Sequence, residues 1–156
     1  MSEAAKEARL KAMRLLTARD YTERGLEDKL TRAGFQPEDV DSAIEYVKSF
    51  GYVDDLRYAM NYVRCSVGVR SRREIERKLL EKGVPSDLIS QALTEEYSDD
   101  DAEDELIRRL IRKKCRSLDQ LDYAGRQKVL AYMFNKGFKP DRVNRILDEV
   151  LLDITS

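Results

Sequence analysis

Two runs of basic residues are the part of this sequence whose type and spacing could bind an anion. Positive side chains at such density attract phosphate groups or acidic protein surfaces. Eight acidic residues fall within residues 95–105, between the two runs. The first run consists of Arg70, Arg72, Arg73, Arg77, Lys78 and Lys82, and the second of Arg108, Arg109, Arg112, Lys113, Lys114 and Arg116.

The first run begins where a helix should start. Ser71 and Glu74 form a capping box, which is a sequence signature of a helix N-terminus. Arg72 and Arg73 then fall in the first helical turn, where the helix dipole disfavours positive charge. A local violation of this kind indicates an external anionic partner, either an acidic protein surface or nucleic acid.

The second run has a simpler explanation. The spacing pairs Asp104 with Arg108 and Glu105 with Arg109 at i,i+4, and such pairs stabilise a helix. Positive charge near a helix C-terminus also complements the dipole. Helix stability alone is therefore the favoured interpretation of this run, and partner binding is the alternative.

Tyrosines near arginines mark another candidate surface. Tyr52, Tyr58 and Tyr62 lie close in sequence to Arg57 and Arg64. Tyrosine and arginine are both enriched among the residues that dominate protein interfaces. The alternative interpretation is that these rings fill small hydrophobic cores.

Catalytic motifs are absent from the sequence. It contains no histidine, no GxxxxGK[ST] phosphate loop and no GxGxxG motif, so we predict neither an enzyme nor a bound cofactor or metal. Cys65 and Cys115 are best explained as reduced thiols. The adjacent Asp54 and Asp55 are favoured as helix caps over paired catalytic acids.

The charge balance limits the class of partner. The 29 basic and 30 acidic residues give a net charge of −1, whereas a dedicated duplex-DNA-binding domain usually has a basic excess. Any contact with nucleic acid must therefore rest on local patches. The amino-terminal segment has no apolar signal region, and the longest apolar run, residues 129–134, is too short to span a bilayer. We expect a soluble cytoplasmic monomer that does not contact a membrane.

The elements that position these residues repeat three times. Gly34, Gly83 and Gly137 each end one predicted helix, and an apolar residue and a proline that begins the next helix follow. One more helix precedes each pair, so the unit is three helices in about 50 residues. We predict an all-α fold of three three-helix repeats, which are residues 1–50, 51–97 and 98–156. Apolar residues at helical spacing, predicted to form the buried faces, include Ala8, Ala12, Leu26, Leu30, Val40, Ile44, Ile75, Leu79, Ile89, Ala92, Leu106, Ile107, Val129, Met133, Val143 and Leu147.

The two junctions between repeats differ in composition. Residues 50–55 carry two apolar side chains and an aspartate that can cap the next helix, so we expect a stiff corner. Residues 95–101 are acidic and have little to bury, which makes them the best hinge candidate in the chain. The alternative interpretation of this stretch is a solvated loop and helix start.

These motifs resemble the RecX regulatory proteins of bacteria. The most specific part is the Gly51-Tyr-Val-Asp-Asp55 corner, which Arg57-Tyr-Ala59 follows, with Lys82-Gly-Val84 at a fixed distance downstream. Lys136-Gly-Phe138 and its flanks match more weakly. The resemblance covers nearly the whole chain.

The resemblance implies three tandem three-helix modules in an elongated, curved array. It also implies a non-enzymatic regulator that binds RecA filaments on single-stranded DNA, along the filament groove, and negatively modulates recombinase, ATPase and co-protease activities. Two alternatives remain open. One is direct binding of single-stranded or duplex DNA by a helical protein, and the other is a helical adaptor for another protein.

Charge and placement select the candidate partner contacts. We expect alanine substitution of Arg72 and Arg73 together to weaken partner binding and to leave the thermal midpoint nearly unchanged. The candidates are Tyr52, Asp54, Arg57 and Arg64 at the first junction, Arg70, Arg72, Arg73 and Arg77 on the second repeat, and Arg109 and Lys113 on the third.

Overall fold

The computed structural model describes residues 1–97, 100–115 and 121–155, with the backbone alone for residues 154 and 155. Arg116 of the second basic run and residues 98 and 99 of the acidic junction lie outside the described residues. Every regular element in the described ranges is an α-helix, which confirms the predicted all-α fold. The helices are α1 (Glu3–Ala18), α2 (Glu23–Arg32), α3 (Pro37–Ser49), α4 (Asp55–Ser66), α5 (Arg72–Glu81), α6 (Ser86–Glu96), α7 (Asp100–Lys114), α8 (Tyr123–Asn135) and α9 (Pro140–Thr155).

The three predicted corners have the same backbone geometry. Gly34, Gly83 and Gly137 have positive φ angles of 96°, 89° and 95°, in the left-handed region that a side chain disfavours. The amide of the apolar residue after each glycine donates back to a carbonyl of the helix that ends there, at 3.4, 3.0 and 3.1 Å. This bond closes the last turn of α2, α5 and α8 and confirms the predicted sequence of helix, tight corner and helix.

The helices pack into two compact units. The first comprises Met1–Tyr62 and Lys78–Glu95, and the second comprises Val63–Arg77 and Glu96–Ser156. The predicted division into repeats at residues 50 and 97 stays a prediction.

The core of the first unit lies chiefly between α1 and α3. Ala8 and Ala12 are fully buried on one face of α1, and such small side chains let two helices approach closely. Leu26 and Leu30 of α2 complete the core, together with the apolar face of α3. These predicted core residues are confirmed.

The core of the second unit lies between α7, α8 and α9. Leu106, Ile107, Val129 and Met133 are all at most 3% exposed, and the apolar face of α9 packs against them. Burial of these large side chains is the main stabilising contribution in the unit. The predictions for this core are also confirmed.

Candidate partner-binding surfaces

Stacked aromatic rings are exposed at the corner between α3 and α4. Val53 is buried and anchors the corner, whereas Phe50 is 57% and Tyr52 45% exposed. Their rings stack with centroids 5.6 Å apart and an interplanar angle of 19°. Tyr46 meets Phe50 edge-on at 5.1 Å. We call Tyr46, Phe50 and Tyr52 the aromatic corner.

A shallow groove adjoins the aromatic corner. Met13, Leu16 and Thr17 of α1 line it together with Gly51, Tyr52 and Arg57. The Arg57 guanidinium donates to the carbonyl oxygens of Gly51 and Tyr52, at 2.8 and 3.4 Å. Arg57 therefore holds the corner in shape while it stays exposed to solvent.

The two aspartates of this corner accept hydrogen bonds from backbone amides at the starts of helices. Asp54 accepts a hydrogen bond from the backbone amide of Arg57 at 3.1 Å and so caps α4. Asp55 accepts one from the amide of Glu23, the first residue of α2, at 2.9 Å. Burial raises the pKa of the Asp55 carboxyl, and the Glu23 amide partly offsets that rise. The interpretation of this pair as helix caps is confirmed, and the role of Asp54 in partner binding stays a prediction.

Sequence reasoning selected neither Tyr46 nor Phe50 of this surface, and Phe50 is the more exposed of the two. An apolar residue at a tight corner is usually buried, so its type gave no signal. The pattern Phe50-Gly-Tyr52 was the available sign, because aromatic residues on both sides of a glycine corner can stack on each other.

In the second unit, Arg72 forms ion pairs with carboxylates of the same chain. Its guanidinium lies 3.0 Å from Asp100 and 4.0 Å from Glu103, and its backbone amide donates to Glu103 at 3.4 Å. The same guanidinium lies 5.0 Å from the centre of the Tyr97 ring and donates to the Tyr97 carbonyl. The unfavourable helix position of Arg72 is therefore compensated internally, and no external anion is needed to explain it.

Tyr97 lies at the centre of this arrangement. It is 2% exposed, and its hydroxyl donates to the carbonyl of Arg70 at 3.2 Å. Burial, followed by the nearby Glu103 carboxylate, raises the pKa of Tyr97 to about 12. The phenol is therefore neutral at physiological pH and serves as a hydrogen-bond donor.

Arg64 and Arg70 also have partners inside the second unit. Arg64 contacts Glu96 through two hydrogen bonds, at 2.7 and 3.2 Å. Arg70 lies 3.8 Å from Glu74 and donates to the Ser66 hydroxyl at 3.3 Å. Both side chains remain partly exposed, so these contacts orient them without burying them.

The pairs predicted to explain the second basic run are wrong. Asp104 is almost buried and lies 2.6 Å from Arg142 and 3.5 Å from Arg145 of α9, so it does not pair with Arg108. Arg108 instead lies 2.5 Å from Glu105. The i,i+4 spacing identified residues on one side of a helix, but the packing of α7 against α9 decided which acids are available.

In the second unit, four of the predicted contact residues are exposed cations that form no ion pair with the described part of the chain. Among them, Arg109 donates to the Gly68 carbonyl. Because no carboxylate neutralises them, their charge is available to an anion from outside. We call this set the exposed cations: Arg73 and Arg77 of α5 and Arg109 and Lys113 of α7.

The described residues contain no group of three or more Asp, Glu or Cys side chains that could hold a metal ion. In the same residues, no helix is both long and apolar enough to cross a membrane.

Known proteins are similar to this chain over nearly its whole length. Three domain models match in order, and they are described as the first, second and third three-helix domains of RecX. They cover residues 8–46, 54–93 and 101–147.

The Regulatory protein RecX of Caldanaerobacter subterraneus subsp. tengcongensis is 34% identical over 145 residues, which are 92% of this chain and 71% of that protein. The Regulatory protein RecX of Legionella pneumophila is 32% identical over 143 residues, or 89% and 91% of the two chains. The crystal structure of RecX from Lactobacillus salivarius has the same fold, with a TM-score of 0.85 and 21% identity over 97% of this chain and 99% of that one.

Proposed function

We propose, since this chain belongs to the RecX family of regulatory proteins, that it binds RecA filaments on single-stranded DNA and lowers their recombinase, ATPase and co-protease activities. It does so as a non-enzymatic binding protein. The observation that supports binding is the aromatic corner, where two large rings stay in solvent beside an apolar groove. Exposed aromatic surface of this kind is typical of protein contact sites.

The geometry of the aromatic corner suits a preformed contact. Phe50 and Tyr52 are held by their mutual stacking, and Arg57 ties the backbone between them. Side chains that are already ordered lose little conformational entropy when a partner binds. We therefore infer that this surface supplies much of the binding free energy for the filament protein.

The exposed cations support a second contact of different chemistry. Arg73 and Arg77 lie one turn apart on α5, and like charges at this spacing slightly destabilise a helix. The repulsion between the two positive charges is offset when an anion binds between or beside them. An acidic surface of the filament is the proposed partner of these residues.

Direct binding to DNA is the second candidate function. It is favoured by the same exposed cations, because phosphate groups are the other common anion that they could meet. The net charge of −1 weighs against it, since long-range attraction to DNA needs a basic excess.

The deciding experiment titrates the chain into RecA that is hydrolysing ATP on single-stranded DNA. We expect inhibition at concentrations of the chain that are too low to coat the DNA. DNA binding is measured alongside in the absence of RecA. No inhibition together with tight, salt-sensitive DNA binding would replace this proposal with the second candidate.

A pair of variants tests the surface in the same assay. Phe50→Ser combined with Tyr52→Ser should raise the inhibitory midpoint by about tenfold or more, since interface aromatics often contribute over 1 kcal/mol each. Tyr123→Ser is the matched control, because Tyr123 is a 79% exposed aromatic of the second unit. An equal effect of the control would show that the loss is not specific to the aromatic corner.

A further inference from the structure

At two of the three glycine corners, the start of another helix packs against the corner and donates a hydrogen bond to it. In the first unit, the Thr22 hydroxyl donates to the carbonyl of Lys82, the residue before Gly83, at 2.6 Å. In the second unit, the Ser71 hydroxyl donates to the carbonyl of Lys136, the residue before Gly137, at 2.8 Å. The same bond, from a capping hydroxyl to the carbonyl of the residue that follows a helix end, therefore occurs twice.

Each of the two hydroxyls both accepts and donates a hydrogen bond. Thr22 accepts from the amide of Gly25 at 3.0 Å and so caps α2, and Ser71 accepts from the amide of Glu74 at 3.1 Å and so caps α5. Each oxygen accepts within its own helix and donates its proton to the corner. Serine and threonine can do both with a single oxygen at a helix start, whereas a carboxylate has no proton to donate.

The glycine of each corner is also covered by the arriving helix. A Cβ atom added at Gly83 would lie 2.5 Å from the Cδ atom of Arg24. A Cβ atom added at Gly137 would lie 2.6 Å from the Ser71 hydroxyl and 3.2 Å from the Cβ atom of Arg73. Arg24 and Arg73 both stand two residues after the capping hydroxyl. At both corners the arriving helix thus begins with Ser or Thr, then any residue, then Arg.

The first corner of the chain has the same shape but no such helix on it. Gly34 has a φ angle within 7° of those of the other two glycines, and the Phe35 amide closes α2 as the Val84 amide closes α5. A Cβ atom added at Gly34 would meet nothing within 4 Å, and Ala33 and Gly34 are both exposed. Within the described parts of the chain, no group donates a hydrogen bond to the Ala33 carbonyl.

We propose that this open corner, residues 31–35 at the end of α2, is a docking site for the start of a helix of another protein. That helix begins with a serine or threonine cap and carries arginine two residues later. The chain itself shows twice how this motif and such a corner fit together. This proposal goes beyond the RecA function, since it involves neither the aromatic corner nor the exposed cations as RecA contacts.

A second copy of this chain does not supply the motif. Its Thr22 and Ser71 are already bound to corners of their own unit. Its α8 begins with Asp122, whose carboxylate accepts from the Gly125 amide at 2.7 Å and has no proton for a carbonyl. Its α1 begins with the Ser2 cap, but the residue two positions later is Ala4 and not an arginine. The occupant is therefore a different protein.

The test uses the full chain, labelled with ¹⁵N, and a peptide with the sequence of residues 70–83. A lactam between Glu81 and the side chain introduced by Arg77→Lys keeps the peptide helical, since an isolated helix of this length is marginal. We expect saturable NMR shifts of the Gly34 and Phe35 amides. Gly51 is the matched control amide, because a Cβ atom added there would also meet nothing.

A second peptide carries Ser71→Ala in addition and is matched to the first in helicity by circular dichroism. It should bind about three- to tenfold more weakly, which is the effect of losing one net hydrogen bond. Equal binding of the two peptides would overturn the proposal, because the hydroxyl would then have no role. Shifts at Gly51 as large as those at Gly34 would overturn it too, because the peptide would then not distinguish the open corner.

Discussion

Two neighbouring arginines show how the role of a residue depends on what the fold brings to it. Arg72 and Arg73 have the same charge and both fall in the first turn of α5. Arg72 contacts Asp100, Glu103 and the Tyr97 carbonyl, whereas Arg73 is exposed and forms no ion pair with the described residues. From these contacts we expect that Arg73 alone can be replaced without loss of stability.

Single alanine variants separate the two arginines. Arg72→Ala should lower the free energy of unfolding by about 1–3 kcal/mol, because the nearly buried Glu103 carboxylate loses a partner. Arg73→Ala should change it by less than about 0.5 kcal/mol, as is usual for exposed sites. Urea unfolding of both variants is the measurement. Equal losses in the two variants would show that the contacts of Arg72 do not stabilise the fold.

What could be predicted about single residues followed from local chemistry. The role of Asp54 as a cap was predictable, because its carboxylate accepts from an amide three residues away. The bond that Asp55 accepts from the Glu23 amide was not predictable, since the two residues are 32 positions apart. The partner of Arg72 was not, since it depends on where α7 lies after folding. The exposure of Phe50 was missed for the same reason, because burial is decided by packing and not by residue type.

At the scale of helices, the sequence was more informative. The glycine corners and the apolar faces were predicted because each depends on residues within one or two turns. The hydrogen bonds from Thr22 to Lys82 and from Ser71 to Lys136 were not predicted, since they join residues 60 and 65 positions apart. Ser71 was recognised as a cap, but the second bond of its hydroxyl is visible only in the folded chain.

The hydroxyl that joins a helix start to a corner should stabilise its unit by more than a cap alone. Thr22→Ala removes the cap of α2 and also leaves the Lys82 carbonyl without its donor. We expect a loss of about 2 kcal/mol or more, the upper end of the range for caps. Thr22→Ser keeps the hydroxyl and should lose much less.

Asp122→Ala is the control for this prediction, because Asp122 caps α8 and donates no hydrogen bond. Its loss should be near 1 kcal/mol, the typical value for a cap. Thermal unfolding of the three variants gives the comparison. Equal losses for Thr22→Ala and Asp122→Ala would mean that the bond to Lys82 contributes nothing.

At the scale of the whole molecule, the nearly balanced charge makes the local patches important. A net charge of −1 provides no long-range attraction to an anion, so the exposed cations must act at short range. Their contribution should then depend on salt, whereas that of the aromatic corner should not. Salt is therefore the condition that distinguishes the two proposed contacts with the filament.

Removing Arg73 and Arg77 together should weaken inhibition of the RecA ATPase in low salt by about two- to tenfold, the range for two exposed charge pairs. The difference from the unchanged chain should shrink as salt rises, because the Debye length falls to about 3 Å at 1 M. Lys128→Ala with Lys139→Ala is the control, since it removes the same charge from other exposed sites of the second unit. If both double variants lose inhibition alike, the filament responds to overall charge, and α5 does not form a specific contact. If only the variant of Arg73 and Arg77 loses inhibition and the loss persists in high salt, these side chains act by packing or hydrogen bonding and not through their charge.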